Sequence, residues 1–500
     1  MTNFAGMGIK SFISVPFARV VAKRVRNWSM NPFQSQELLF HNLIKKAANT
    51  AFGREHDFHL IKTYHHFKAQ VPVAGYEELK PYIERIKMGE KDVLWEGKPI
   101  YFSKTSGTTS GIKYIPITKD SIPNHIGSAR DALLNYIAET GKADFVDGKM
   151  IFLSGSPALE QVCGIPTGRL SGIVNHHVPS YLRGNQLPSY KINCIEDWEQ
   201  KVDAIVEETM DQNMTLISGI PPWVQMYFDK IIQRKGKNVG DVFKNFNLFV
   251  YGGVNYEPYR NKLEASIGKR VDSIELYPAS EGFIAYQDKQ DEQGLLLLLN
   301  SGIFYEFIPA DEYHNAVPSR INLEDVVLGI NYAIILNTNA GLWGYSLGDT
   351  VKFVSKNPFR IVVTGRIAHF ISAFGEHVIG DEVERALMAA CNEFKAEVIE
   401  FTVAPQVNPA AGLPYHEWFI EFAEMPQDIT AFRDVINDSL RMQNSYYNDL
   451  IKGGILQPLK ITVMPRNTFI NYMKRKGKLG GQNKLPRLAN DRAMVEDLGF

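Results

Sequence analysis

Cysteine is nearly absent. Cys163, Cys194 and Cys391 are the only 3 in 500 residues. They are far apart and odd in number, which excludes a disulfide framework and a CxxC metal site. That scarcity fits a reducing, cytoplasmic compartment. Net charge is absent too: 54 Lys and Arg against 55 Asp and Glu leave −1. A chain whose main partner is nucleic acid or an anionic membrane usually carries excess cations, so both classes are disfavoured. No apolar run approaches the ~20 residues of a membrane span. The best, Leu295 to Leu299, stops at Asn300 between Gly294 and Gly302 and reads as a buried strand. Repeats and low-complexity segments are missing as well. What remains is an ordinary globular composition, 45% hydrophobic and 22% charged, long enough for roughly two to four domains.

The N-terminal stretch is basic and amphipathic. Lys10, Arg19, Lys23, Arg24 and Arg26 interrupt or follow a very short apolar stretch, which argues against a signal peptide. A helix packed on the body and an interfacial membrane helix both remain open. Residues 31–90 read as helical, with Leu38, Leu39, Leu43 and Ile44 at 3–4 spacing. From about 98 to 366, short β-rich runs (IYFSKTS, KMIFLSG, NMTLISG, FNLFVYGG, VDSIELYPAS) end in small residues and alternate with helical stretches. Apolar strand, small-residue turn, then helix predicts an α/β sheet with sites at its strand ends. After Arg366 the pattern changes. DEVERALMAACNEF and DITAFRDVINDSL are amphipathic helices, and AEVIEFTVAP and YHEWFIEFAEM alternate like strands. The expectation is a large α/β domain over 1–366 and a smaller α+β domain over 367–500.

Five constellations carry chemistry. The first is the loop from Ser103 to Lys113, rich in Ser, Thr and Gly between two β-like runs. Glycines let backbone N–H groups face an anion, hydroxyls add donors, and Lys113 adds a point charge. Only three residues separate Gly107 from Gly111, so it is not a Walker A loop; a surface turn is the plain alternative. The second is Tyr277-Pro-Ala279-Ser280-Glu281-Gly282, which offers an aromatic, a hydroxyl and a carboxylate at a strand end. A helix-capping Ser with a dipole-favoured Glu would look the same. Upstream, Tyr251-Gly-Gly253-Val254 by itself signals only a turn. The third is Leu347-Gly-Asp349, whose carboxylate can accept from two sugar hydroxyls, or simply close a turn. The fourth is Thr364-Gly-Arg366, alone an ordinary strand end. The fifth is the tail from Arg466 to Arg487, with seven cations, no acid, and Gly477, Gly480 and Gly481 to keep it mobile. A solvated basic loop or a nucleic-acid contact are its generic meanings.

These motifs form an ordered set. TSGTTSGIKYIP resembles the phosphate loop of the adenylate-forming superfamily of acyl-CoA synthetases, luciferases and peptide-synthetase adenylation domains. NPFQSQELLFHNLIKKAANTAFGREHDF, SGIPPW, YPASEG, NAGLWGYSLGD and QNKLPR occur in the order seen in the plant auxin-responsive acyl acid–amido synthetases and their bacterial relatives. The resemblance implies an ATP-dependent ligase that makes an acyl-adenylate and passes the acyl group to an amine, with coenzyme A as the alternative acceptor. It implies that Ser106, Gly107, Thr108, Thr109, Ser110, Gly111 and Lys113 cradle the phosphates. Gly253 and Tyr277 would border the adenine, Ala279 and Ser280 would join the nucleotide site, and Asp349 would take the ribose. Arg366 would join the nucleotide site at the hinge, where Ala368 replaces the usual carboxylate. Glu281 would hold Mg²⁺, and Lys484 would enter the active site as the catalytic cation. Trp223 would line an acyl pocket. Gly344 and Ser346 stand where the plant enzymes tend to carry arginines. His176-His177 has no carboxylate or Cys at ligand spacing, and metal ligation there is not expected.

Overall fold

The computed structural model describes residues 8–106, 112–178, 183–253, 256–367, 370–371, 378–452, 454–480, 484–489 and 491–498. Helix α1 (Ile9–Ser29) leads into α2 (Pro32–Ala47). Strands β1 (Tyr101–Ser106) and β2 (Ile112–Ile117) pair antiparallel and join two short strands, Glu160–Val162 and Ile165–Gly168, in a small sheet. Helix α3 (Ile122–Thr140) follows, closed by Gly141 in the left-handed region.

The main sheet is built on four parallel strands: β3 (Lys149–Phe152), β4 (Met214–Ser218), β5 (Leu248–Gly252) and β6 (Asp272–Ala279). Three helices alternate with them: α4 (Trp198–Thr209), α5 (Pro221–Lys235) and α6 (Glu257–Ile267). Asp197 caps α4 by accepting from the Gln200 N–H, and α5 runs from Pro221 to a left-handed Gly236. The strands are apolar on both faces because helices cover both. Ile151, Ile217 and Phe249 pack against α4, α5 and α6, while their neighbours Met150, Leu216 and Leu248 pack against α1 and α3.

The sheet then continues antiparallel through β7 (Gly282–Tyr286), β8 (Leu295–Leu297), β9 (Ile303–Pro309), β10 (Asn331–Thr338), β11 (Tyr345–Lys356) and β12 (Phe359–Arg366). With Gln186–Leu187 at one edge it has, among the described residues, eleven strands, in the order β9-β10-β11-β12-β8-β7-β6-β5-β4-β3 and then that edge pair.

Beyond β12 lies a separate three-stranded sheet of β13 (Glu397–Gln406), β14 (Tyr415–Glu424) and β15 (Lys460–Met464). Helices α7 (Gly380–Phe394) and α8 (Ile429–Gln443) cover it and close its own core around Trp418 and Ile420. The chain is thus mixed α/β, with a large N-terminal sheet and a smaller C-terminal one.

The basic tail differs from the expected mobile loop. Thr468–Arg475 is a helix, α9, because Phe469 and Met473 recur one turn apart and are buried with Phe419 and Leu485. Gly480 lies against Trp198, where an added Cβ would sit 2.5 Å from the indole. No helix among the described residues is long and apolar enough to cross a membrane.

Candidate active site

The parallel strands β3 to β6 end along one edge, and the turns that leave them are the motifs singled out in the sequence. Ala279 pairs with Gly282, so Ser280 and Glu281 form the two-residue turn of the β6–β7 hairpin. No helix follows them, so the helix-capping reading of this Ser-Glu pair fails. Ser280 Oγ accepts a 2.9 Å hydrogen bond from Ser103 Oγ, which ties β1 to the turn. Glu281 is buried, and its carboxylate accepts a 3.2 Å bond from the Tyr345 hydroxyl. Burial pushes the Glu281 carboxyl above its ordinary value, against the pull of Lys113 and Arg366.

Asp349 joins the same edge from β11, paired in register with Arg366 at the end of β12. The Tyr277 hydroxyl donates to Asp349 Oδ2 at 2.7 Å, and Arg366 Nε donates to Oδ1 at 2.8 Å. The carboxylate is therefore held in orientation from two sides. Burial, reinforced by Asp349, raises the Tyr277 phenol well above its ordinary value, so it stays a donor. Lys113 lies on β2 near the Tyr76 ring. Ser106 ends β1 and Ile112 begins β2, so the hairpin brackets the expected phosphate loop. Gly107, Thr108, Thr109, Ser110 and Gly111 themselves lie outside the described residues.

Lys484 arrives from the small sheet. Its segment runs along β13: Thr402 Oγ1 donates to the Pro486 carbonyl at 2.8 Å, the Val403 N–H to the Arg487 carbonyl at 2.9 Å, and the Ala489 N–H to the Val403 carbonyl at 3.0 Å. From there the ammonium reaches Gly253. A Cβ on Gly253 would lie 3.3 Å from Lys484 Nζ, and its φ of +86 also demands glycine. The residue as a whole keeps an exposed surface, and the protein near its ammonium end partly desolvates it. That desolvation pulls the ammonium down to about 8, against the attraction of Asp349 and with the help of Arg366. One edge thus gathers Lys484, Gly253, Tyr277, Ala279, Ser280, Glu281, Asp349 and Arg366.

Trp223 stands apart. It is buried in the helical layer, edge-on to Trp198 at 5.4 Å. Ile220, just before α5, comes closer to the edge; its side chain lies 3.8 Å from the point that a Gly253 Cβ would occupy. The Gly344 departure has a steric reason: φ is +55, and a Cβ would collide with the Pro72 carbonyl oxygen. Ser346 accepts from the Tyr313 hydroxyl at 2.7 Å. His176 and His177 are held by the Pro157 carbonyl and the Tyr101 hydroxyl.

Sequence reasoning missed Arg487 as anything but one more cation. Its guanidinium pairs with Glu400, lies 3.3 Å from Glu384, stacks over Phe401 and donates to the Tyr259 hydroxyl. Tyr259 belongs to α6 of the large sheet and also donates to Glu400 Oε2 at 3.3 Å. These partners are scattered from 259 to 487, so no local pattern marks them. Among the described residues no group of three or more His, Cys, Asp or Glu side chains could hold a metal by itself.

Known proteins share this layout. Residues 21–189 match the GH3 family N-terminal domain, 296–366 its central domain and 381–493 its C-terminal domain, together more than half of the chain. The chain belongs to the GH3 acyl acid–amido synthetase family. That makes it a ligase of the ATP-using, adenylate-forming superfamily. An indole-3-acetic acid-amido synthetase, GH3.3 of Arabidopsis thaliana, is 21% identical and aligns over 92% of this chain and 90% of its own length. A jasmonoyl–L-amino acid synthetase, JAR4 of Nicotiana attenuata, is 24% identical over 84% of this chain and 85% of its own. Among solved structures, the GH3.15 acyl acid amido synthetase covers 95% of both chains with a TM-score of 0.79 at 16% identity. A 2-hydroxyisobutyryl-CoA ligase in its postadenylation state reaches 0.58 at 13% identity, covering 93% of this chain and 91% of that one. Identities this low carry the fold and leave the substrates of this GH3 protein open.

Proposed function

We propose that this GH3 protein condenses a carboxylic acid with ATP to an acyl-adenylate and pyrophosphate, then transfers the acyl group to an amine, an amino acid by family analogy, to form an amide. The observation that carries the reading is the approach of Lys484 to Gly253, on the edge where Asp349 is held by Tyr277 and Arg366.

In step one the carboxylate oxygen attacks the α-phosphorus and pyrophosphate leaves. The chain's part is positioning and charge stabilisation. The loop 106–111 and Lys113 hold the β- and γ-phosphates, Asp349 accepts from the ribose hydroxyls, and Tyr277 lies along the adenine. Lys484 neutralises charge building between the carboxylate and the α-phosphate. Glu281 fits a Mg²⁺ site: it is a buried carboxylate under the pull of two cations, Lys113 and Arg366, and phosphate oxygens can complete the shell. A bound Mg²⁺ would supply charge neutralisation of the phosphates. Ile220 forms part of a wall for the acyl group. In step two the small domain, 367–500, turns near Arg366 so that Lys484 withdraws and the amine attacks the acyl carbon; the C–N bond forms as the bond from that carbon to the phosphate oxygen breaks, AMP leaves and the amine gives up a proton to solvent.

Acid-dependent ATP–pyrophosphate exchange across an acid library tests step one. Release of ADP and phosphate by an active preparation would overturn it. Supplying amino acids or coenzyme A to the best acid then decides the acceptor.

A further inference from the structure

Helix α1 has two apolar faces, and only one is used. Val15, Ala18, Val21 and Val25 pack inward against α3 and the sheet. A helix that merely covers a sheet is polar outside. Here Ile9, Ile13, Phe17 and Val20 point outward, exposed to 81, 62, 50 and 66%. Exposed Pro16 lies among them. At 3.6 residues per turn these five fall within an arc of roughly 100°. The next turn of the same face carries Lys23 and Arg24, and Arg19 and Arg26 flank it. No Asp or Glu precedes Glu37. Arg24 is bridged to Asp131 at 2.6 Å, whereas exposed Arg19, Lys23 and Arg26 have no ion-pair partner among the described residues.

We propose that this outer face of α1 docks on an anionic lipid surface, lying in the interface with its apolar row inserted and its cations at the headgroups. The net charge of −1 argued against membranes for the chain as a whole, but charge acts locally within a Debye length of about 8–10 Å. Along α1 the balance is strongly positive. An apolar row with cations beside it and no acid is the composition that binds anionic interfaces. A second copy of this chain fits less well. The row from Ile9 to Val20 is about 17 Å long and one helix wide, on the order of 200 Å², against roughly 800 Å² per partner for a stable protein interface.

The test is sedimentation of the full chain with vesicles of phosphatidylcholine alone or with a quarter phosphatidylglycerol. Binding should require the anionic lipid and weaken as salt rises. The triple variant I13S/V20S/F17S, altered only at exposed positions and keeping the wild-type melting temperature, should lose roughly tenfold or more of its binding. The pair R19E/K23E should lose a similar amount and its salt dependence. Absence of wild-type binding, equal binding to neutral vesicles, or full binding by the triple variant would overturn the proposal. So would a wild-type dimer that the triple variant dissociates without any vesicle binding, which would assign the face to a second copy.

Discussion

Replacing Lys484 with Ala probes the site where its physics is least ordinary. The ammonium reaches Gly253 from another sheet, is desolvated there, and titrates at about 8 with Asp349 and Arg366 as its charged neighbours. Removing it deletes one preorganised charge from the position where the α-phosphate would react. Loss of one such donor costs about 10²–10³ in rate, or ~3–4 kcal/mol of transition-state stabilisation, so pyrophosphate exchange should fall by that factor. The KM for ATP should move far less, because the phosphate loop and Asp349 remain. The pH profile gives a second, independent reading. With a pKa of about 8, the side chain is roughly nine-tenths charged one unit below and one-tenth charged one unit above. Wild-type exchange should therefore decline on an alkaline limb beginning near 8, displaced upward once phosphate is bound, and Lys484→Ala should lack that limb. Lys476→Ala is the control. Lys476 is exposed and paired with Asp497, so its loss should change exchange less than about twofold. Unchanged exchange in Lys484→Ala, or an identical alkaline limb in both proteins, would remove Lys484 from the chemistry.

Three other perturbations separate contributions elsewhere. Tyr259→Phe removes the hydroxyl that links α6 to Arg487 and Glu400. A hydrogen bond to a charged group contributes about 1.5–3 kcal/mol, so exchange should fall roughly tenfold while amide formation from a pre-formed acyl-adenylate is spared; equal losses in both half-reactions would refute a seating role. Asp349→Asn keeps the shape but removes the charge that faces Arg366, and should raise the KM for ATP about tenfold; an unchanged KM would exclude the ribose contact. His125 is buried in α3, and burial alone lowers its imidazole from 6.5 to about 4. The unfolded chain therefore takes up a proton that the folded chain refuses, and stability should fall by about 3 kcal/mol as pH drops from 6.5 to 4. His125→Leu should flatten that part of the urea-unfolding profile, and an unaltered slope would disprove it.

The strand-end motifs were legible because each is local. YPASEG and TGR mark where chains leave a sheet, and β6 and β12 do end there, whereas LGD lies inside β11, at a register shift against β10. The two apolar faces of β3, β4 and β5 were legible too, since strands covered on both sides are written as continuous hydrophobic runs. The tail was misread for the opposite reason. Its composition is that of a solvated loop, yet Phe469, Met473 and Leu485 anchor it in a small core that also holds Phe419. A few apolar residues scattered among seven cations carry too weak a period to see. The outward face of α1 was visible only as a mixed basic and apolar stretch, because sequence alone does not say which of two apolar stripes the body covers.

Arg487 shows how the unseen contacts bear on the seen motif. Lys484 is recognisable by resemblance, but its position follows from Arg487, three residues on. The carbonyls of Pro486 and Arg487 fix the segment on β13, and the Arg487 side chain reaches from Glu400 and Glu384 on the small sheet's side to Tyr259 on the large one. Within the proposed two-step cycle this has a definite consequence. The tail is registered on β13, so it must travel with the small domain as a rigid piece. Withdrawing Lys484 then means breaking the contacts at Tyr259, together with those that Lys474 and Gly480 make to Glu199 and Trp198 on α4, not unwinding the tail. Glu384 and Glu400 keep Arg487 paired after that break, so no guanidinium is left uncompensated. Among the described residues Arg487's hydrogen-bond partner on the large-domain side is the neutral Tyr259 hydroxyl, which makes this contact cheap to release, since a neutral partner costs less to leave than a buried opposite charge. A carboxylate at position 259 would face Glu400 and Glu384, which already pair Arg487, and would repel them in the closed arrangement. Tyr259→Glu should therefore slow pyrophosphate exchange by about tenfold or more, the ratio expected when a bond to a charged group is lost, and spare amide transfer from a pre-formed acyl-adenylate. If that variant exchanges pyrophosphate at the wild-type rate, the joint does not close at Tyr259.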